Sequence, residues 1–184
     1  MSYFLCAAGE TLRDQIDHRW PKRDRASDGW IGDASHQAAP SDHNPDYSAG
    51  GVVRAVDVDE DLSKVDAEAM RTLADQLIRC AREREDNGRL SYVIYEGKIA
   101  SGTYASSRWQ WRTYTGTNPH DHHMHVSFTE KGDKLGGKFP LPVFTSAAKR
   151  RKRRTLRRQI ENLAARIRAL RVEREKKRRN LRDL

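Results

Sequence analysis

The sequence predicts an α+β fold: a small, mainly antiparallel sheet with flanking helices and a long irregular loop, followed by a basic C-terminal helix. Three observations predict it. Apolar residues recur at helical spacing over 66–85 and at strand-like spacing over 51–59, 92–101 and 123–128, without strict βαβ alternation. Residues 20–51 are rich in Pro, Gly, Asp and Ser and follow neither period; so long a loop in a small domain is usually functional. Charge divides the chain. Lys149–Leu184 holds 17 Lys/Arg against 4 Asp/Glu, a net of +13, whereas the whole chain carries 35 against 26, so residues 1–148 are left with 18 against 22, a net of −4. We therefore expect one domain over 1–145 and a separate basic, amphipathic, coiled-coil-like helix over 146–184.

The elements follow in order. Thr11 to about Arg19 reads as a short helix, with Thr11-x-x-Asp14 as its N-terminal signal and Leu12 and Ile16 one turn apart. Gly51–Asp59 reads as a strand. Asp66 to about Glu85 is the best helix of the body, with Met70, Leu73, Ala74, Leu77, Ile78 and Ala81 on one face, and Asn87-Gly88 stops it. Tyr92–Tyr95, Glu96-Gly97 and Lys98–Ser101 form a hairpin. His123–Phe128 is the last strand.

Composition narrows the classes. Only 36% of residues are hydrophobic, and no apolar run is long enough to span a membrane. Cys6 and Cys80 do not make a disulfide framework; Cys80 falls in the helical apolar pattern as a small core residue. The first ten residues lack the charged leader and apolar stretch of a secretory signal, so synthesis in the cytoplasm is expected.

The chemistry concentrates in two segments. Four of the seven histidines lie within His120-Asp121-His122-His123-Met124-His125, and upstream stand Ser41-Asp42-His43 and Arg54-Ala55-Val56-Asp57. Successive side chains of a strand point to opposite faces. Met124, Val126 and Phe128 therefore share a core face, and His123, His125 and Ser127 the other; Asp57 lies opposite Val56 and Val58. If the two strands are neighbours, Asp57 and His125 approach one metal and His43 joins from the preceding loop. Two imidazoles and a carboxylate are the set by which a catalytic zinc is held with one position open to water. Asp42, Asp46, Asp59 and Asp121 are the nearby candidates to orient the imidazoles.

These residues resemble a known family. Ser41-x-His43, Gly51 and Ala55-x-Asp57 look like the signature of the D-alanyl-D-alanine carboxypeptidase and dipeptidase group of zinc peptidases, in the superfamily that includes lysostaphin-like enzymes, and His123-x-His125 is similar to its closing motif. The runs Leu12–Gln15, Ser27–His36 and Pro119-His120 resemble the peptidase domain of endolysins from phages of actinobacteria. The resemblance covers roughly residues 10–130 and none of the basic tail. It implies zinc on His43, Asp57 and His125, peptidoglycan stem peptide as substrate with L-Ala–D-Glu as the first candidate bond, and action at the wall of a lysed host cell. Two features depart from the pattern. Thirteen residues rather than six separate His43 from Asp57, which reads as a turn inserted around 44–50; and His122 stands where many members carry a glutamate base. His123 is the first candidate base, followed by Asp121 and His122. Arg54, Ser41 and Trp109 are candidates for holding substrate, with Trp109 and Trp111 walling the cleft.

Two other classes compete. Asp42-His43-x-Pro45 followed by Gly50-Gly51 resembles the first half of an HNH nuclease motif, but the Asn and His expected on a following helix are missing. A purely structural zinc would want four protein ligands, often Cys, and no suitable Cys pair exists. In the tail, Leu156, Ile160, Leu163, Ile167 and Leu170 step by four and three; the frame is broken at Arg174 and Lys177 and resumes at Leu181 and Leu184. Anionic wall polymer or a membrane surface is the expected partner, ahead of self-association or nucleic acid.

Overall fold

A computed structural model describes residues 2–33, 40–103, 105–145 and 147–180. His36, with the end of the 27–36 run, and the tail's Leu181 and Leu184 lie outside them. The chain divides at Phe144/Thr145 into two compact units. The first holds β1 (Phe4–Leu5), α1 (Ala7–Arg19), β2 (Val52–Val53), β3 (Ala55–Asp59), α2 (Ala69–Arg82), β4 (Leu90–Tyr95), β5 (Lys98–Ser101), β6 (Arg112–Thr113) and β7 (His123–Phe128). Five strands form one antiparallel sheet in the order β3-β7-β4-β5-β6, while β1 and β2 pair in parallel as a separate ribbon. The expected α+β architecture is what this unit has.

One face of the sheet builds the core. Val56 and Val58 of β3, Val93 of β4 and Met124, Val126 and Phe128 of β7 join Leu12 and Ile16 of α1 and Leu73, Leu77 and Ile78 of α2 in one apolar cluster. All are at most 5% exposed, which makes this burial the main source of the unit's stability. Cys6 and Cys80 are free and lie in the same cluster, where burial pushes their thiols up to about 11 and about 12.

The structure corrects three expected details. Helix α1 begins at Ala7, four residues before Thr11, because the Cys6 carbonyl already accepts the Glu10 amide; Thr11 caps nothing and instead donates its hydroxyl to the Gly136 carbonyl. Helix α2 is shorter than 66–85. It closes at Arg82 in a Schellman turn, with the Arg84 amide on the Ala81 carbonyl, the Glu85 amide on the Cys80 carbonyl, and Arg84 itself at φ 59°. An arginine in the left-handed position where glycine is usual explains why sequence reading carried the helix on to Asn87-Gly88. The strand expected over 51–59 is broken at Arg54, whose amide turns to the Asp42 carbonyl, so that β2 and β3 serve different sheets. The ribbon partner β1 had no sequence signal. The hairpin holds: Glu96 and Gly97, at φ 48° and 65°, make the two-residue turn that a right-twisted ribbon favours.

The residues inserted between His43 and Asp57 fold into a closed turn. A short 3-10 helix over Tyr47–Ala49 is capped by Asp46, whose carboxylate accepts from the Ser48 and Ala49 amides, and Gly50 and Gly51 lead out of it at φ 84° and 90°. The Asp46 amide then bonds the Val52 carbonyl, so the extra residues leave and return at nearly the same point.

The second unit is described by itself: α3 (Ala147–Asn180), a 34-residue helix. Among the described residues, no helix is long and apolar enough to cross a membrane.

The two glycines of the inserted turn should respond differently to alanine. A Cβ on Gly50 meets open space, so only left-handed strain is paid, about 1–2 kcal/mol. A Cβ on Gly51 would lie 2.4 Å from the Ser2 carbonyl oxygen, and Gly51→Ala should lower the denaturant midpoint distinctly more than Gly50→Ala. Equal losses would show that the β1–β2 ribbon yields freely.

Candidate metal centre

The metal group is assembled by strand register. β3 and β7 pair with Asp57 directly opposite His125, so the two side chains rise from the same face of the sheet. On its outer side Asp57 exchanges backbone hydrogen bonds with Gly29, which fixes the carboxylate from both edges. His43 is delivered by the loop. Its carbonyl accepts from Gly32, its amide donates to Ser41 Oγ, and the Arg54–Asp42 backbone bond ties the loop to the start of β3. The expected convergence of His43, Asp57 and His125 is therefore present, and these three form a group that could hold a metal ion.

The distances form a closed triangle. His43 Nε2 lies 3.1 Å from His125 Nδ1 and 3.2 Å from Asp57 Oδ2, and His125 Nδ1 lies 3.0 Å from Asp57 Oδ1. Bonds of about 2.0–2.2 Å around a tetrahedral ion hold ligand atoms about 3.3–3.6 Å apart, so the triangle needs only a slight opening to fit. The His43 ring donates to the Trp30 backbone carbonyl, which leaves Nε2 as a lone pair aimed at a carboxylate and at a second imidazole nitrogen. The donor set can take a proton or a metal ion. Burial opposes ionisation of Asp57, yet His125 and His43 hold its carboxyl well below the usual carboxylate range. Burial likewise opposes charge on His43, and Asp57 outweighs it, raising the imidazole.

The orienting groups differ from those expected. Three of the four aspartates are engaged elsewhere: Asp46 pairs with Arg54, Asp59 accepts from the Ser27 and Asp61 amides, and Asp121 is exposed. His125 Nε2 is instead held by Ser127 Oγ at 2.9 Å. Ser127 in turn meets the hydroxyl of Tyr92, which also reaches Asp42. The Tyr92 ring stacks on His125 with centroids 5.4 Å apart and 17° between planes, and burial raises its phenol. A serine two residues along a strand shares its face by simple alternation, so this partner was readable from the period; the stacking tyrosine, from another strand, was not.

The other candidates separate. His123 stays with the group: its Nε2 is 3.8 Å from Asp57 Oδ1, and burial lowers its pKa. His122 is 85% exposed and faces Glu60, and Asp121 is exposed, so neither reaches the centre. Ser41 supports the His43 backbone. Arg54 is spent on structure, with two bonds to Asp133 and one to Asp46. Trp109 is 3% exposed and packs in the core, beside a cavity of about 800 Å³ lined by Arg84, Arg108 and Lys131 and by none of the imidazoles. Trp111 is bonded to Asp75 of α2.

Sequence reasoning missed His120. Its ring lies edge-on to His123 and His125 at 4.9 and 5.4 Å, is only 8% exposed, and has an Nδ1 with no hydrogen-bond partner among the described residues. Burial, with His125 and His123 adding, pushes its pKa down to about 4. It precedes the strand, so alternation gives it no face. What places it is its own left-handed turn (φ 59°), with its amide on Asn118 Oδ1 and its carbonyl taking the Glu96 amide of the hairpin.

No family model, curated protein or solved structure matches the chain.

Two outcomes follow. Purified protein should bind one zinc or similar divalent ion, and His43→Ala, Asp57→Ala and His125→Ala should each abolish it in metal analysis, whereas His122→Ala should not. The metal-free protein should have a pH optimum of stability. Folded His120, held down to about 4, and His123, also lowered, bind fewer protons than the unfolded chain below about pH 6.5, so stability rises with pH there. His43, raised, holds its proton longer than unfolded imidazole, and its contribution is lost as pH climbs above 6.5. Thermal scans should therefore show the highest Tm near pH 6.5, with the acid limb flattened by His120→Gln.

Proposed function

We propose that the first unit is a zinc-dependent peptidoglycan endopeptidase of the endolysin type, cutting an amide bond of the stem peptide, with L-Ala–D-Glu as first candidate, at the wall of the host cell. The single observation that carries this reading is the His43–Asp57–His125 triangle with two further near-neutral imidazoles, His120 and His123, beside it. A structural site has no use for them. A hydrolytic site needs neutral bases and proton donors close to the ion. The substrate class comes from the motif resemblance, Ser41-x-His43 through Ala55-x-Asp57 and His123-x-His125, which spans the same residues that converge.

Bound zinc would supply an acidified water and a Lewis-acid contact for the scissile carbonyl. The remaining work falls to the chain. His123, neutral at pH 7 because burial disfavours its charge, accepts a proton at Nε2, the nitrogen that faces Asp57. The Asp57 carboxylate steadies the imidazolium so formed until it returns that proton to the departing amide nitrogen as the C–N bond breaks. His120, also neutral, donates its ring N–H to the oxygen that becomes negative as the amide is attacked. Tyr92 and Ser127 hold His125 against rotation throughout.

The nuclease reading loses support from the fold. The helix that follows its half-motif, α2, carries neither the Asn nor the His that the motif needs. His43 points at a carboxylate and an imidazole of an antiparallel pair.

The test is digestion of actinobacterial sacculi by zinc-loaded protein, with released fragments read by mass spectrometry and plasmid DNA as a parallel substrate. New amino termini at stem-peptide bonds, abolished by chelator and restored by zinc, are expected. His123→Ala should keep its zinc and lose about 10²–10⁴-fold in rate. DNA nicking without muropeptide release would replace this function with the nuclease.

A further inference from the structure

We infer that the basic helix α3 is a membrane-surface anchor that lies on anionic lipid headgroups with its apolar stripe turned into the bilayer interface. It is one continuous helix of 34 residues, about 50 Å long at 1.5 Å per residue. Leu156, Ile160, Leu163, Ile167 and Leu170 remain 51–60% exposed. At 3.6 residues per turn these five positions fall within an arc of about 80°, bordered by Arg166 on one side and Arg171 on the other. The sequence from Lys149 onward carries the net +13.

The two properties together select the occupant. Charge alone fits any polyanion, but nucleic acid and wall polymers are hydrophilic and reward nothing in a row of leucines and isoleucines. A second copy of the helix would cover the stripe but is opposed at its borders. In a parallel pair Arg166 faces the partner's Arg171, and no acidic residue borders the stripe between Leu156 and Leu170 to relieve them. The next two steps of the frame fall on Arg174 and Lys177, which a paired seam would have to bury and a headgroup layer would welcome. An anionic bilayer surface takes both features at once: acyl boundary for the stripe, phosphates for the cations. The stripe is too short and the charge too high for insertion across the bilayer, so the helix lies in the plane.

The test uses the full chain and sedimentation with vesicles of phosphatidylcholine, alone or mixed with phosphatidylglycerol. Binding should appear only with the anionic lipid and fall steeply with added salt. Ile160→Glu/Ile167→Glu and Arg166→Gln/Arg171→Gln should each weaken it at least about tenfold. Both pairs are exposed, so unchanged thermal unfolding of the first unit serves as the folding control. Binding that survives Ile160→Glu/Ile167→Glu would mean charge alone is at work and would overturn the proposal. So would a stable dimer that this variant dissolves, or tighter binding to duplex DNA than to the anionic vesicles at equal salt. Adsorption should be the same with and without chelator, so its failure and the failure of the peptidase reading are separate results.

Discussion

The fold around the site depends on one arrangement: a half-buried carboxylate, Asp57, gripped between two imidazoles on adjoining elements. Removing such a charge from water is costly, and the cost is recovered only if its partners are held at hydrogen-bond distance. Three independent supports hold them. Strand register sets His125 opposite Asp57, the Gly29 bridge fixes the outer edge, and the Trp30 carbonyl pins the His43 ring. Slip by one residue in β3–β7 pairing would turn Asp57 into the apolar core and Val56 or Val58 out of it, so the core and the site enforce the same register.

The described residues on either side of His43 are tied down by acids rather than by secondary structure. Arg23 pairs with Asp17 and Asp28; Asp28 accepts the Asp59 amide; Asp59 accepts from Ser27 and Asp61. Arg54 bridges Asp46 on the inserted turn to Asp133 beyond β7. The mildly acidic body is thus not a uniform coat of charge. Several of its aspartates are turned inward as acceptors for backbone amides that no strand satisfies, which lets an irregular segment position a ligand as firmly as a strand would.

How much of this was legible in the sequence follows from where the information resides. Period-two patterning is local, so β7, the hairpin and the two faces of β3 could be read, and with them the convergence of His43, Asp57 and His125. The end of α2 could not, because Arg84 takes a conformation that its residue type does not advertise. Arg54 and Trp109 look like binding residues in sequence, yet Asp133 lies 79 positions from Arg54, and Trp109 is drawn into the core. Their partners are tertiary and invisible to spacing. His120 shows the opposite failure. It stood in the densest cluster of the chain and was passed over because it precedes the strand, whereas backbone bonds to the hairpin bring its ring to the others.

The two cysteines bear on which ion the candidate site could hold. Soft thiolates outbid imidazole and carboxylate for many transition metals, and an exposed pair would also cross-link in oxidising surroundings. With both sulfurs sealed in the apolar interior and their protons held far above neutrality, the chain has no competing donor of that kind. A metal held by His43, Asp57 and His125 would meet nitrogen and oxygen donors without competition from a thiolate.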